Sequence, residues 1–491
     1  MNPQTRKEYN MSQKPNILFL MSDEHSPHAI GCEGNEIVQT PNLDRLAESG
    51  TYFENAYCQV PLCTPSRMCM LTGKHAHRCS AWNNGSILFP EHLTMPAHFA
   101  QHGYSTALIG KMHFGGKEQL NGFQSRPYGD LRGYAGHQTD PLITPRVNRQ
   151  RTRLAGITEI PASMLQERVI NTETLEYLRA HPREQPWFLL ASYSRPHFPL
   201  TVPKRLFDKY WPDNVDMPHI PNGHLEQTHP FAKGLRENFR TMDIPPEEAS
   251  KARAAYYACC EFLDECLGDL LALLERDGLL ENTIIVYTTD HGEMAGEHGQ
   301  WWKSSYYEAA ARVPLIIKNG EQSGRITAPV ELNDLFPTLC ASAGIPIPDN
   351  LDGADMTNLM AGDTDGWRDT AITEYWANQT TGPMRMLRTS HYKYVAFPED
   401  EPILFDLNAD PGEFENLAGN AAYQQVEAEL QEKLMAGFRW DAVVQQQEAD
   451  KQRSREFAEP WGRGTPNQYT LPDGRVVDAE TCLYHPSVRE G

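Results

Sequence analysis

Five short segments of this chain are apolar along their whole length, not at every second position. They are Asn16–Ser22 (NILFLMS), Ser105–Gly110 (STALIG), Pro186–Tyr193 (PWFLLASY), Thr283–Thr289 (TIIVYTT) and Val313–Lys318 (VPLIIK). A strand that is apolar on both sides must be covered on both sides. Segments of helical spacing lie between them. In Glu248–Asp277 the residues Leu263, Leu267, Leu270, Leu271 and Leu274 recur at helical intervals, and Gly278 ends the run. Pro41–Ser49 reads as a shorter helix, opened by Thr40 and Pro41 and stopped by Gly50. This alternation predicts an α/β fold with a large, mostly parallel central sheet flanked by helices.

The pattern changes after residue 375. Met384–Thr389, Tyr392–Phe397 and Ile403–Leu407 read as short antiparallel strands, and Ala422–Phe438 as a helix. Two units are therefore expected: 1–375, and a smaller C-terminal α+β unit with a tail over 376–491. The polar end is expected to wrap the body or a neighbouring subunit, which makes a homo-oligomer an expectation. The stretch Tyr128–Arg153, rich in Gly, Pro and Arg, reads as a long loop lining or covering a site.

Charge narrows the partners. With 44 Lys and Arg against 65 Asp and Glu the net charge is −21. Such a surface repels nucleic acid and anionic membranes, so neither is expected as a partner. An anionic substrate would need a local basic pocket. No segment approaches the ~20 apolar residues of a spanning helix, and no signal peptide is visible at the start, so a cytoplasmic location is expected. The ten cysteines include no CxxC pair. Disulfides are not expected in that setting, and most of these thiols read as small core residues.

The chemistry gathers where strands end. Asp23 follows the first apolar run, and Asp290-His291 follows TIIVYTT. In a parallel sheet, ligands collect beyond such carboxyl ends. In Cys63-Thr64-Pro65-Ser66-Arg67, Thr64 is placed to cap a helix opened by Pro65. Cys63 then stands at a helix N-terminus, where exposed N–H groups favour an anion, and Arg67 lies one turn further on. A proline-initiated helix beside a core cysteine is the plain alternative for those five residues. Lys111 and His113 in LIGKMHFGG share a face if the backbone there is extended.

Taken together, these segments resemble the type I, formylglycine-dependent sulfatases of the alkaline phosphatase superfamily. CTPSR matches the family's C-x-P-S-R signature, PNILFLMSDEH its first metal strand and TTDHGEMAGEHG its second. The resemblance implies that 1–375 is the catalytic domain. It also implies that a formylglycine-generating enzyme oxidises Cys63 during maturation. One hydroxyl of the hydrated aldehyde then attacks sulfur, the alcohol leaves, and the second hydroxyl expels sulfate. A hemiacetal-type ester collapses in this way, whereas an ordinary serine sulfate would not. The implied ligands of one divalent metal ion are Asp23, Glu24, the oxidised Cys63, Asp290 and His291. Glu24 departs from the usual Asp or Gln of the family. The oxygen-rich set favours Ca²⁺, and the histidine nitrogen keeps Mn²⁺ open. Lys111 is implied to bind the ester's anionic oxygens and His113 to act near the formylglycine hydroxyl. His197 in SRPHFPL and Lys303 in QWWKSS are implied to meet the leaving oxygen.

The implied substrate is a sulfate ester, either a small one such as choline sulfate or a sulfated carbohydrate. GKMHFGGKEQLNGF looks closest to the choline-sulfatase-like branch. A trimethylammonium head requires an aromatic box, for which Trp82, Trp301, Trp302 and Trp376 are candidates. Asn83 and Asn84 are placed to hold a sugar or their own loop. Phosphonate monoester or phosphodiester hydrolysis on the same fold is the alternative reaction.

Overall fold

The computed structural model describes residues 14–128, 148–377 and 380–457, and the two short strands Gln468–Thr470 and Val476–Asp478. Its strands in the first half are β1 (Asn16–Asp23), β2 (Thr51–Tyr57), β3 (Ser105–Gly110), β4 (Ser125–Tyr128), β5 (Gly156–Ile157), β6 (Trp187–Pro196) and β7 (Thr201–Val202). There follow β8 (Thr283–Thr289), β9 (Arg312–Lys318), β10 (Gly324–Ile326), β11 (Val330–Glu331), β12 (Ala371–Tyr375), β13 (Met384–Arg388), β14 (Tyr392–Ala396) and β15 (Ile403–Asp406).

The five apolar runs become β1, β3, β6, β8 and β9. The large sheet has the order β10-β2-β9-β8-β1-β6-β3-β4, with β11 also paired to β2. All its pairings are parallel except those of β9 with β2 and β8. β1 lies at the centre, and Ile17, Leu18, Phe19, Leu20 and Met21 are fully buried. Burial of both faces explains why the run lacks alternation. β2 was not foreseen because Glu54 and Asn55 interrupt its apolar pattern. They sit at a bulge between Phe53 and Ala56, where the register with β9 shifts.

The 31-residue helix Pro246–Arg276 covers one face of the sheet through Leu263, Leu267, Leu270 and Leu274. A four-stranded antiparallel sheet, β12-β13-β14-β15, follows, with the helix Gln424–Met435 against it. Part of the polar end is the helix Trp440–Phe457, which returns to the body. Gln446 donates to His77 O, and Arg453 pairs with Glu91. The proposed lining loop falls largely on 129–147, outside the described residues; its last part is the helix Asn148–Arg153. Among the described residues no helix is long and apolar enough to cross a membrane.

Candidate active site

Four strand ends meet on one edge of the large sheet. Ser22 pairs with Thr289 in parallel register, so Asp23 and Asp290 leave their strands side by side. β6 delivers His197, whose N–H donates to Asp23 O at 3.0 Å. β3 delivers Lys111, whose N–H donates to Ser192 O at 2.9 Å. Gly110 makes that exit possible. Its φ is +96°, and a Cβ there would lie 2.1 Å from Ser192 O. Lys111 and His113 are therefore not related by an extended backbone as their spacing suggested, since His113 itself has φ +60°. Lys111 Nζ reaches Asp23 Oδ2 at 2.7 Å. His113 is held by its carbonyl, which accepts from Thr64 Oγ1 at 2.8 Å.

The helix Cys63–Thr72 enters the same edge with Cys63 as its first residue. Leu62 holds the cap position, so Thr64 lies inside the first turn and not before it. The cap comes from elsewhere in the chain: Thr64 N–H donates to Asn84 Oδ1 at 3.0 Å. Cys63 Sγ lies 3.2 Å from His291 Nε2 and 3.8 Å from Asp23 Oδ1. Its thiol is pushed up to about 12, by burial first and then by Asp23, against Lys303 and Lys111. Unmodified, it is neutral at physiological pH and a poor nucleophile.

Arg67 reaches back one turn, and its partners are the two aspartates. Nε donates to Asp290 Oδ2 and Nη2 to Asp23 Oδ2, each at 2.8 Å, while Nη1 donates to Lys111 O and Ser192 Oγ. A fully buried guanidinium thus fixes the orientation of both carboxylates.

Asp23, Cys63, Asp290 and His291 each offer a ligand atom, all within 4.8 Å of one another. Asp23, Glu24 and His197 form a second such group. His291 Nδ1 lies 2.9 Å from Gly292 O, which assigns the ring proton to Nδ1 and leaves the Nε2 lone pair facing the cluster. Glu24 is fully buried, and its Oε1 has no hydrogen-bond partner. Its carboxyl is pushed up to about 8, chiefly by burial, with Lys303 opposing and Glu293 adding to the rise. Convergent carboxylates, an imidazole lone pair and an unmet buried oxygen fit a divalent cation.

Glu24 and Lys303 face each other, with Nζ 2.8 Å from Oε2. Burial works against the ammonium, but Cys63, Glu24 and Asp23, in their ionised forms, outweigh it and hold Lys303 above the ordinary lysine value. His197 Nδ1 lies 2.7 Å from Phe198 O, so Nε2 is the atom turned towards Glu24 Oε2 at 3.4 Å. Burial, Lys111 and Lys303 together hold this imidazole well below its usual value, hence neutral.

Three supporting residues were not singled out individually by the sequence. Glu293 Oε1 accepts from the N–H groups of Ala295 and Trp302 and so closes the loop that carries Lys303. Tyr256, on the long helix, donates to Glu24 O at 2.7 Å and steadies a residue with φ +67°. Arg151 lies over the rings of Phe198 and Trp302. The four tryptophans do not assemble into one box. Trp82 stands edge-on to Trp376 and donates to Asp450 Oδ2, and Trp376 packs against Phe438 and Trp440. Trp301 and Trp302 are buried in the loop before Lys303.

Residues 15–345 match the family model described as Sulfatase. The chain belongs to the sulfatase family. Residues 296–439 also match the model described as N-sulphoglucosamine sulphohydrolase, C-terminal. This sulfatase is 31% identical over 431 residues to a choline-sulfatase of Rhizobium meliloti (strain 1021), covering 83% of each chain. It is 30% identical over 448 residues to an arylsulfatase of Clostridium perfringens, covering 84% of this chain and 92% of that one. Among solved structures it resembles a protein in complex with its substrate D-glucosamine-2-N,6-O-disulfate. That TM-score is 0.71 at 24% identity, over 89% of this chain and 99% of that one. A phosphonate monoester hydrolase of Agrobacterium radiobacter matches with a TM-score of 0.75 at 23% identity, over 95% and 99%. The fold is that of the alkaline phosphatase superfamily, and this sulfatase is a sulfuric ester hydrolase.

Proposed function

We propose that this sulfatase cleaves its ester at residue 63 after a formylglycine-generating enzyme has oxidised Cys63. The observation that carries this reading is the position of Cys63 Sγ, inside the ligand cluster at a helix N-terminus and 3.2 Å from His291 Nε2. The neutral thiol supports it, because the unmodified residue is a weak nucleophile there. Formylglycine supplies a hydrated aldehyde, one hydroxyl for attack on sulfur and a second for release of sulfate.

Asp23, Asp290 and His291 would hold a divalent cation, with Glu24 joining through its group with Asp23; the oxygen-rich donor set favours Ca²⁺, and the imidazole admits Mn²⁺. When bound, that ion supplies positive charge that polarises the sulfuryl oxygens and favours an ionised hydroxyl. The chain does the rest. Arg67 keeps the two aspartates in place. Lys111, partly open to solvent, and Lys303 offset the charge of the ester oxygens. Lys303 stays protonated and is the donor for the leaving oxygen. His197 Nε2 positions that oxygen, and His113 takes the proton when sulfate is released.

The relatives support an organic sulfate such as choline sulfate, or a sulfated carbohydrate, as the substrate. The test is sulfate release from choline sulfate and from sulfated mono- and disaccharides, with a phosphodiester alongside. Sulfate release by protein with verified conversion of Cys63 is expected. Turnover of the phosphodiester in preference to every sulfate would contradict the proposal.

A further inference from the structure

Among the described residues the site contains four cations, and three of them are paired. Arg67 is bound to Asp23 and Asp290, Lys111 to Asp23 and Lys303 to Glu24. Arg151 is not. Among the described residues it has no hydrogen-bond or ion-pair partner, and its Nε is buried and unmatched. Its guanidinium carbon lies 3.4 Å from the centre of the Phe198 ring and 5.1 Å from that of Trp302. Phe198 stacks on His197, with ring centres 3.9 Å apart, and Trp302 precedes Lys303. Arg151 therefore stands on the side of the site where the alcohol departs.

The nearby carboxylates do not answer it. Glu24 meets Lys303 through Oε2 and Glu293 accepts from two backbone N–H groups, and neither carboxylate is hydrogen-bonded to Arg151. Burial lowers the guanidinium to about 10, with Glu24 and Glu293 opposing, so it stays charged at neutral pH. A second donor beside it is also unmet: Trp302 Nε1 is buried without a partner. A guanidinium lying on aromatic rings presents a rigid fork that suits a carboxylate or an oxyanion. Arg151 is only partly exposed, and covering its charge further with a bound ester is costly unless that ester supplies the counter-charge.

We propose that Arg151 selects a sulfate ester whose alcohol carries a second anionic group, a carboxylate or a further sulfate. This inference rests on the sulfate-ester reading above and narrows it. It also makes choline sulfate a poor substrate, because the unpaired guanidinium repels a trimethylammonium head.

The test compares matched esters in protein with verified conversion of Cys63. A sulfated hexuronate is set against the hexose sulfated at the same carbon. A disulfated hexosamine is set against its monosulfated counterpart. Choline sulfate and 4-nitrophenyl sulfate complete the panel. The wild type is expected to favour at least one anionic member by tenfold or more in kcat/KM. Arg151→Gln is expected to bring that ratio close to one, as loss of one partner of a charge pair does. Arg151→Lys retains part of it. A wild type without the preference, or a preference unchanged in Arg151→Gln, overturns the inference. So does choline sulfate as the fastest ester. In those cases turnover of 4-nitrophenyl sulfate leaves the sulfatase reading standing. Turnover of no sulfate at all removes both.

Discussion

Glu24 and Glu308 are both deeply set glutamates facing a lysine, yet they end far apart in acidity. Lys303 Nζ is 2.8 Å from Glu24, and Lys393 Nζ is 2.6 Å from Glu308. Burial pushes both carboxyls up. Around Glu308 it is outweighed by Lys393, Arg388 and Arg312, and the group is held down to about 2. Around Glu24 the one lysine is opposed by Glu293 and Asp23, and the group rises to about 8. Glu308 belongs to the joint between the two sheets, where Lys393 on β14 also meets Glu413. There the charges close on one another. At the end of β1 they do not, and the difference separates a structural network from one that calls for a cation and an anionic substrate from outside.

Asp290→Asn should give the largest effect, because it removes charge from the open network. Metal content and kcat/KM should fall together, by about a hundredfold in activity. Full metal occupancy measured by elemental analysis, with full activity, would remove Asp290 from the site. The two lysines offer the direct contrast. Lys303→Met should lower kcat by about a hundredfold or more with little loss of stability. Lys393→Met should destabilise the fold by about 3 kcal/mol, because it strips buried carboxylates of their shared cation. Its folded fraction should keep most of its turnover. Equal effects of the two substitutions on kcat and on thermal unfolding would erase the distinction.

Acid provides a smaller test. Glu308 is held below its ordinary value of 4.5, so its pairing stabilises the fold above that pH and is lost as pH falls from there towards 2. The gap in unfolding midpoint between the wild type and Glu308→Gln should narrow over that range. A gap independent of pH would show that the ion pairs contribute nothing. The smallest effect belongs to Asn84→Ala. Loss of the cap on Thr64 N–H should cost about 1 kcal/mol or less in thermal unfolding.

The strand ends were legible because a doubly buried strand writes an unbroken apolar run, and the first polar residue after it marks the sheet edge. That logic placed Asp23 and Asp290 together, 267 positions apart in the sequence. Side-chain destinations were less legible. Arg67 is visible as a cation one turn into a helix, but its partners depend on the register of β1 against β8. The Lys111–His113 spacing assumed an extended chain, which Gly110 and His113 break through their positive φ. Trp82 and Trp376 read as members of a box, yet the helix Trp440–Phe457 folds back and claims them. Arg151 lies among several arginines in a polar stretch, and nothing in its neighbours distinguishes it until the fold sets it over Phe198.

The most direct test of the central claim is to measure specific sulfate release against the fraction of Cys63 converted, read from the mass of the peptide that contains it. Preparations made with and without a formylglycine-generating enzyme would span the range. Activity proportional to conversion, with none at zero conversion, is the predicted result. Full activity in protein whose residue 63 is still a thiol would contradict it.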